Sequence, residues 1–277
     1  MSLFKIARLS LSKIFIKRIC CLSVGTLFLL AQLTTPSMAA AQSVIYTALG
    51  DSLAFGLFAP IGEGYVLEYA EDINTDTGVY AAPANLGIPG WTSSDLLDNV
   101  RGNFLFRLSI VTSSVVTLDI GGNDLLDARN SYKNKTCGGA DNQDCLRATI
   151  ATFKSNWSAI LNEILSLRST SNTVIRAMDV YNPFVNEDRG QDTWPNDQGN
   201  DFQVTKVYLD DLNNYIASTS NANNIPYARV YQEFNGPNGD HDPREKDYIA
   251  FDGLHPNGSG HAKIAELFRN LGYSPLR

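Results

Sequence analysis

Apolar positions along this chain fall into two kinds of run that alternate. The short stretches VIYTAL (44–49), SSVVTLDI (113–120), TVIRAMDVY (173–181) and PYARVY (226–231) are rich in β-branched residues and predict strands. They are continuous, without an in-and-out alternation, as in strands buried on both faces. Between the second and third, Ile150, Phe153, Trp157, Ile160, Leu161, Ile164 and Leu165 recur every three or four residues. Val204, Val207, Tyr208, Leu212, Tyr215 and Ile216 do the same between the third and fourth, so both segments predict helices with one buried face. Strands separated by helices imply crossover connections and a parallel sheet covered on both sides, an α/β fold. No repeat, low-complexity tract or proline-rich linker interrupts residues 42–277, so that span is expected to be one domain.

The first 41 residues follow another pattern. Lys5, Arg8, Lys13, Lys17 and Arg18 precede the apolar run ICCLSVGTLFLLAQL, and the small residues of PSMAAAQS follow it. That order predicts a secretory signal peptide over 1–41, cleaved near Ala41 or after Ala39. The run 19–33 has 15 residues, short of the roughly 20 that span a bilayer, so no stable membrane anchor is expected. Cleavage removes five of the 22 basic residues and none of the 29 acidic ones, taking the net charge from −7 to −12. This is the wrong sign for nucleic acid or an anionic membrane. Neutral lipids, soluble esters and polysaccharides remain as easier partners. Only Cys137 and Cys145 remain after cleavage, in TCGGADNQDC, and export predicts that they pair, closing a ring that contributes roughly 2 to 3 kcal/mol.

Ligands of parallel α/β sheets sit outside the carboxyl ends of the strands. The first strand ends there in GDSLAFG, which exposes Ser52 at the mouth of the crevice. Serine also caps helices, so this stretch alone fits either use. Three further stretches bear on it. NLGIPGW places Gly87 and Gly90 before a helix starting near Thr92 to Asp95, where backbone NH groups can approach a ligand. DIGGNDLLD puts Asn123 at the same carboxyl edge, behind two glycines. FDGLHPNG sets Asp252 three residues before His255. A serine nucleophile needs a base, the base needs an acid to hold its tautomer, and the oxyanion needs donors; all are present. Of the remaining two histidines, His261 is expected on the last helix as a surface or packing residue and His241 in a solvated loop. No HExxH occurs, and spacings of 14 and 6 residues put no two histidines on one helical face, so neither a metal nor a cofactor is expected. Asp51 and Asp124 are expected to be structural, accepting backbone NH bonds in their turns.

These four stretches, in this order, resemble blocks I, II, III and V of the SGNH hydrolases, the GDSL family of esterases and lipases, over most of residues 44–271. The resemblance implies a three-layer α/β/α sandwich with a flavodoxin-like parallel sheet. It implies Ser52 as nucleophile, His255 as base and Asp252 as orienting acid. The oxyanion hole would comprise the NH of Ser52, Gly90 and the amide of Asn123. Gly87 fits less well than Gly90, because the family's donor glycine usually follows the block II asparagine, here Asn85, by five residues.

The leading expectation is therefore a secreted serine hydrolase that cleaves small-molecule or lipid carboxylic esters. A polysaccharide O-deacetylase would use the same machinery with different pocket walls. Acyl transfer to an acceptor in place of water would use it too, whereas a non-catalytic binding domain is at odds with an intact Ser, His and Asn. The walls are expected from loops at 181–201 and 125–145, with Tyr181, Phe184 and Trp194 lining an acyl pocket or stacking on sugars.

Overall fold

A strand's pleat sends successive side chains to opposite faces, and here both faces meet apolar helices. The computed structural model describes residues 42–195 and 199–276; the expected signal peptide, 1–41, lies outside the described residues. Five strands, β1 (Ser43–Gly50), β2 (Tyr80–Gly87), β3 (Ser113–Leu118), β4 (Val174–Met178) and β5 (Tyr227–Ala228), form one all-parallel sheet in the order β2-β1-β3-β4-β5. The helices are α1 (Ser52–Phe55), α2 (Tyr65–Thr77), α3 (Ser93–Gly102), α4 (Phe104–Thr112), α5 (Gly122–Lys133), α6 (Asp144–Leu167), α7 (Val185–Arg189), α8 (Asp201–Ala222), α9 (Val230–Asn235) and α10 (Gly258–Asn270).

On one face Tyr46, Ala48, Val115, Val174 and Met178 pack with Ile73 of α2 and Phe268 of α10. Leu49, Val116, Leu118, Ile175 and Ala177 point the other way, into a core with Leu96 of α3, Ile110 of α4, Trp157 of α6 and Leu212 of α8. The fold is the expected α/β sandwich, and double-sided burial explains why its inner strands read as unbroken apolar runs.

Two elements differ from the pattern. YAAPANLG, which carries little strand character, forms β2, paired with β1 from Ser43↔Tyr80 to Gly50↔Gly87. It is an edge strand, where Pro83 is tolerated because only one side of the backbone joins the ladder. Conversely, 226–231 supplies only two strand residues before α9 begins.

Asp179 closes that junction: its NH donates to Ala228 O at 3.3 Å and its carboxylate accepts the Tyr231 NH at 2.7 Å. Burial pushes its carboxyl up to about 7, against hydrogen bonds that favour the anion. The native state thus keeps this proton to higher pH than the unfolded chain, whose aspartate has an ordinary value of about 3.9. Above that value the unfolded state binds fewer protons, so this group's contribution to stability falls between about pH 4 and 7, by on the order of 4 kcal/mol. Asp179→Asn is expected to flatten that part of the profile, measured as the difference from the parent in urea unfolding at each pH.

Candidate active site

The turn after β1 is held from beneath. The Asp51 NH donates to Asp119 Oδ1 at 3.1 Å, and the Tyr65 hydroxyl donates to Asp119 Oδ2 at 2.5 Å. Burial first, then the facing Asp119 charge, raises the Asp51 carboxyl well above its ordinary value, and burial raises Asp119 as well. Asp51 caps α1 by accepting the Leu53 NH at 3.0 Å. The helix cap is thus Asp51, and the Ser52 hydroxyl is left for another partner. That partner is His255, with Ser52 Oγ 3.0 Å from Nε2.

His255 reaches the site from a tight closure at the far end of the chain. Ala250 NH bonds to His255 O at 2.8 Å and Asn257 NH to Tyr248 O at 2.9 Å, so residues 248–257 fold back on themselves. Asp252 Oδ1 accepts the NH groups of Leu254 and His255 at 3.1 Å each, and Oδ2 lies 2.5 Å from His255 Nδ1. Burial raises the Asp252 carboxyl, but the His255 side chain and the two NH groups outweigh it, so the net displacement is downward and the anion is favoured. An anionic Asp252 fixes the proton on Nδ1 and leaves Nε2 as the acceptor facing Ser52.

The two candidate oxyanion glycines separate by what their NH groups do. Gly87 donates to Asn85 Oδ1 at 3.0 Å, and a Cβ there would sit 2.5 Å from Phe55 N, so this glycine serves close packing. Gly90 has φ +84° with nothing within 4 Å of a Cβ position, and its NH has no partner among the described residues. The Ser52 NH likewise has none. Asn123 sits one residue inside α5, past the N-cap at Gly121, so it is not a helix cap. Its amide donates to Trp91 O at 2.8 Å and has a long 3.4 Å contact with Asp51 Oδ2. Asp124 accepts the Ser93 NH at 2.8 Å and the Ser93 hydroxyl at 2.6 Å, clamping the Gly90 turn to α5.

Ser52, Asn123 and His255 border a cleft of about 780 Å³, including the space at its open mouth. Its walls are mainly apolar: Leu125, Leu126, Leu146, Val180, Pro183 and Leu209, with Tyr181 and Phe184 as expected. Tyr181 also braces the His255 loop, its hydroxyl donating to Leu254 O at 2.6 Å. Arg129 and Asp188 reach the wall already paired, at 2.5 and 2.9 Å. Two expectations for the walls are corrected. Much of 125–145 is helical, because only three residues separate the end of β3 from α5 (Gly122–Lys133) and α6 begins at Asp144. Trp194 packs with Ala128, Tyr132 and Val204 outside the cleft lining. Residues 196–198 of the 181–201 segment lie outside the described residues. Asp119, Thr205 and Leu209 were missed from sequence; for Asp119 the signal was an acid inside the apolar run VVTLDI.

His261 is fully buried, its Nδ1 accepting the Tyr65 NH at 3.4 Å and its Nε2 donating to Leu57 O at 3.1 Å. It is a packing residue, while the side chain of His241 is 57% exposed beside Asp240. Cys137 and Cys145 form a disulfide that anchors the start of α6. Replacing both by serine is expected to lower the unfolding free energy by about 2 to 3 kcal/mol, the entropy of so small a ring, in denaturant titrations.

A family model described as the GDSL-like lipase/acylhydrolase family matches residues 48–263. The spore germination lipase LipC of Bacillus licheniformis is 26% identical over 234 residues, which is 83% of this chain and 97% of the relative. Among solved structures, the lipase Lip_vut3 from a goat rumen metagenome superposes with a TM-score of 0.68 at 23% identity, covering 84% of this chain and all of that one. An acetyl xylan esterase of Geobacillus stearothermophilus does so at 0.56 and 17% identity, covering 86% and 98%.

Proposed function

Since this chain belongs to the GDSL-like lipase/acylhydrolase family, and is thereby an esterase/lipase-type hydrolase, we propose that it cleaves carboxylic esters through an acyl-enzyme on Ser52. The observation that carries this reading is the unbroken line from Ser52 Oγ to His255 Nε2 to Asp252, at 3.0 and 2.5 Å, beside an apolar cleft. His255 takes the Ser52 proton as Oγ attacks the ester carbonyl, and Asp252 stabilises the imidazolium that forms. The oxyanion receives the unpartnered NH groups of Ser52 and Gly90 and the amide of Asn123. His255 then protonates the departing alcohol, and a water activated by the same imidazole releases the acid.

The acyl chain occupies the cleft walled by Leu125, Leu126, Leu146 and Leu209. A buried methylene contributes about 0.8 kcal/mol, so extending the acyl group from acetyl toward hexanoyl is expected to raise kcat/KM by roughly tenfold or more. A panel of p-nitrophenyl esters from acetate to palmitate, run beside acetylated xylan, tests this. Activity confined to acetyl groups overturns the acyl-cleft reading in favour of a polysaccharide O-deacetylase, which the fold likeness to an acetyl xylan esterase also suits. The basic, apolar and small order of the leader and the disulfide support an exported enzyme.

A further inference from the structure

We propose that the rim beside the catalytic pair, formed by Phe55, Phe58, Ile61 and Phe251, docks the enzyme on a lipid surface of no net charge. The inference rests on the ester-hydrolase reading above and names the physical state in which the substrate is met. Residues 55–62, FGLFAPIG, carry no charge. Ile61 is fully exposed, Phe251 is 93% exposed and Phe55 57%. Phe58 links this rim to the chemistry: its ring meets Phe251 edge-on at 5.1 Å and stacks on His255 at 5.3 Å. Phe55 and Ile61 line a second pocket with Leu67 on the flank of α1.

This exposure is built into the fold. The Leu57 NH donates to Ser52 O at 3.0 Å, its carbonyl accepts from buried His261, and the Glu63 NH closes on Pro60 O at 2.9 Å. Phe58 is held at φ +65°, a region uncommon for a bulky side chain. A segment pinned at both ends with apolar side chains facing water marks an interaction surface when it borders a site. The border here is His255, which also lines the apolar cleft. An ester leaving an aggregate would pass from one apolar phase to another beside Ser52. Of the neighbouring charges, Asp252 is paired with His255, Arg244 caps Gly253 O at 2.9 Å, and Glu63 ends the segment. With a chain net charge of −7, an anionic surface is disfavoured and an uncharged or zwitterionic one is accepted.

Two measurements on the full chain test this. In the first, Phe251→Trp is added to the inactive Ser52→Ala protein and vesicles of brominated phosphatidylcholine are titrated in. Quenching in excess of the Ser52→Ala parent is expected; no excess overturns the proposal. In the second, the Ile61→Ser, Phe251→Ser double variant is assayed on dissolved p-nitrophenyl butyrate and on a trioctanoin emulsion. The dissolved-ester rate should stay within about twofold of the parent while the emulsion rate falls tenfold or more. Equal losses on both substrates, or on neither, overturn the proposal. So does sedimentation showing that the rim substitutions dissolve a dimer while quenching is absent, which assigns the rim to a second copy. A parent that turns over no dissolved ester refutes the hydrolase reading instead, and the quenching arm, which needs no turnover, still reports on docking.

Discussion

Ser52→Ala is expected to leave a folded protein whose ester turnover falls by about a thousandfold or more, since the acyl group then has no oxygen to bind. The fold should be little affected. Ser52 is 6% exposed, its hydroxyl contacts His255 at 3.0 Å, and Asp51 supplies the cap of α1. The loss of one such bond costs about 1 kcal/mol, so thermal unfolding separates a chemical defect from a structural one. Rates on p-nitrophenyl butyrate and labelling by a serine-reactive phosphonate check the assignment, and the label should be recovered on Ser52 alone. A variant retaining a tenth of the parent rate refutes the nucleophile.

Asn123→Ala is expected to lower kcat by roughly 10² to 10³, the usual effect of losing one oxyanion donor, with KM nearly unchanged. Asn123 also holds Trp91 O at 2.8 Å, next to Gly90, so the substitution loosens a second donor along with removing the first. The Asp124 clamp on Ser93 limits that loosening, because it holds the same turn independently. The pH dependence distinguishes the roles. Asn123 does not titrate, so its variant should keep the shape of the parent's pH profile while its rate falls at every pH. His255→Ala should instead lose most activity at every pH. A raised KM with kcat untouched would mean that Asn123 binds the ground state, and would remove it from the oxyanion hole.

Much of this site was legible because its parts lie at strand ends and use few residue types. The chain has three histidines, and only His255 has an acid three residues earlier in a turn. Inner strands were readable because burial on both faces leaves unbroken apolar runs. The strand β2 was not, since an edge position tolerates Pro83 and leaves six of its eight residues partly or fully exposed, which weakens the pattern. The cleft was also hidden. Its walls draw single residues from helices far apart in sequence, such as Leu146, Thr205 and Leu209, whose local context is that of any amphipathic helix. Trp194 shows the converse: an aromatic in a polar segment suggested a wall, while local packing decided its place.

The separation of Ser52 from His255 by 203 residues bears on how the protein is made. A ribosome releases Ser52 near the start of the domain, and all five strands are complete by Ala228, yet the His255 imidazole arrives only with the last segment before α10. A nascent chain ending between Ala228 and His255 holds all five strands but lacks the partner of the Ser52 hydroxyl. Long-range closures of this kind form late in folding, because their entropy is recovered only when both ends are in place. On the proposed mechanism, competence to cut esters waits for this last segment, and a product clipped before His255 is expected to be inert.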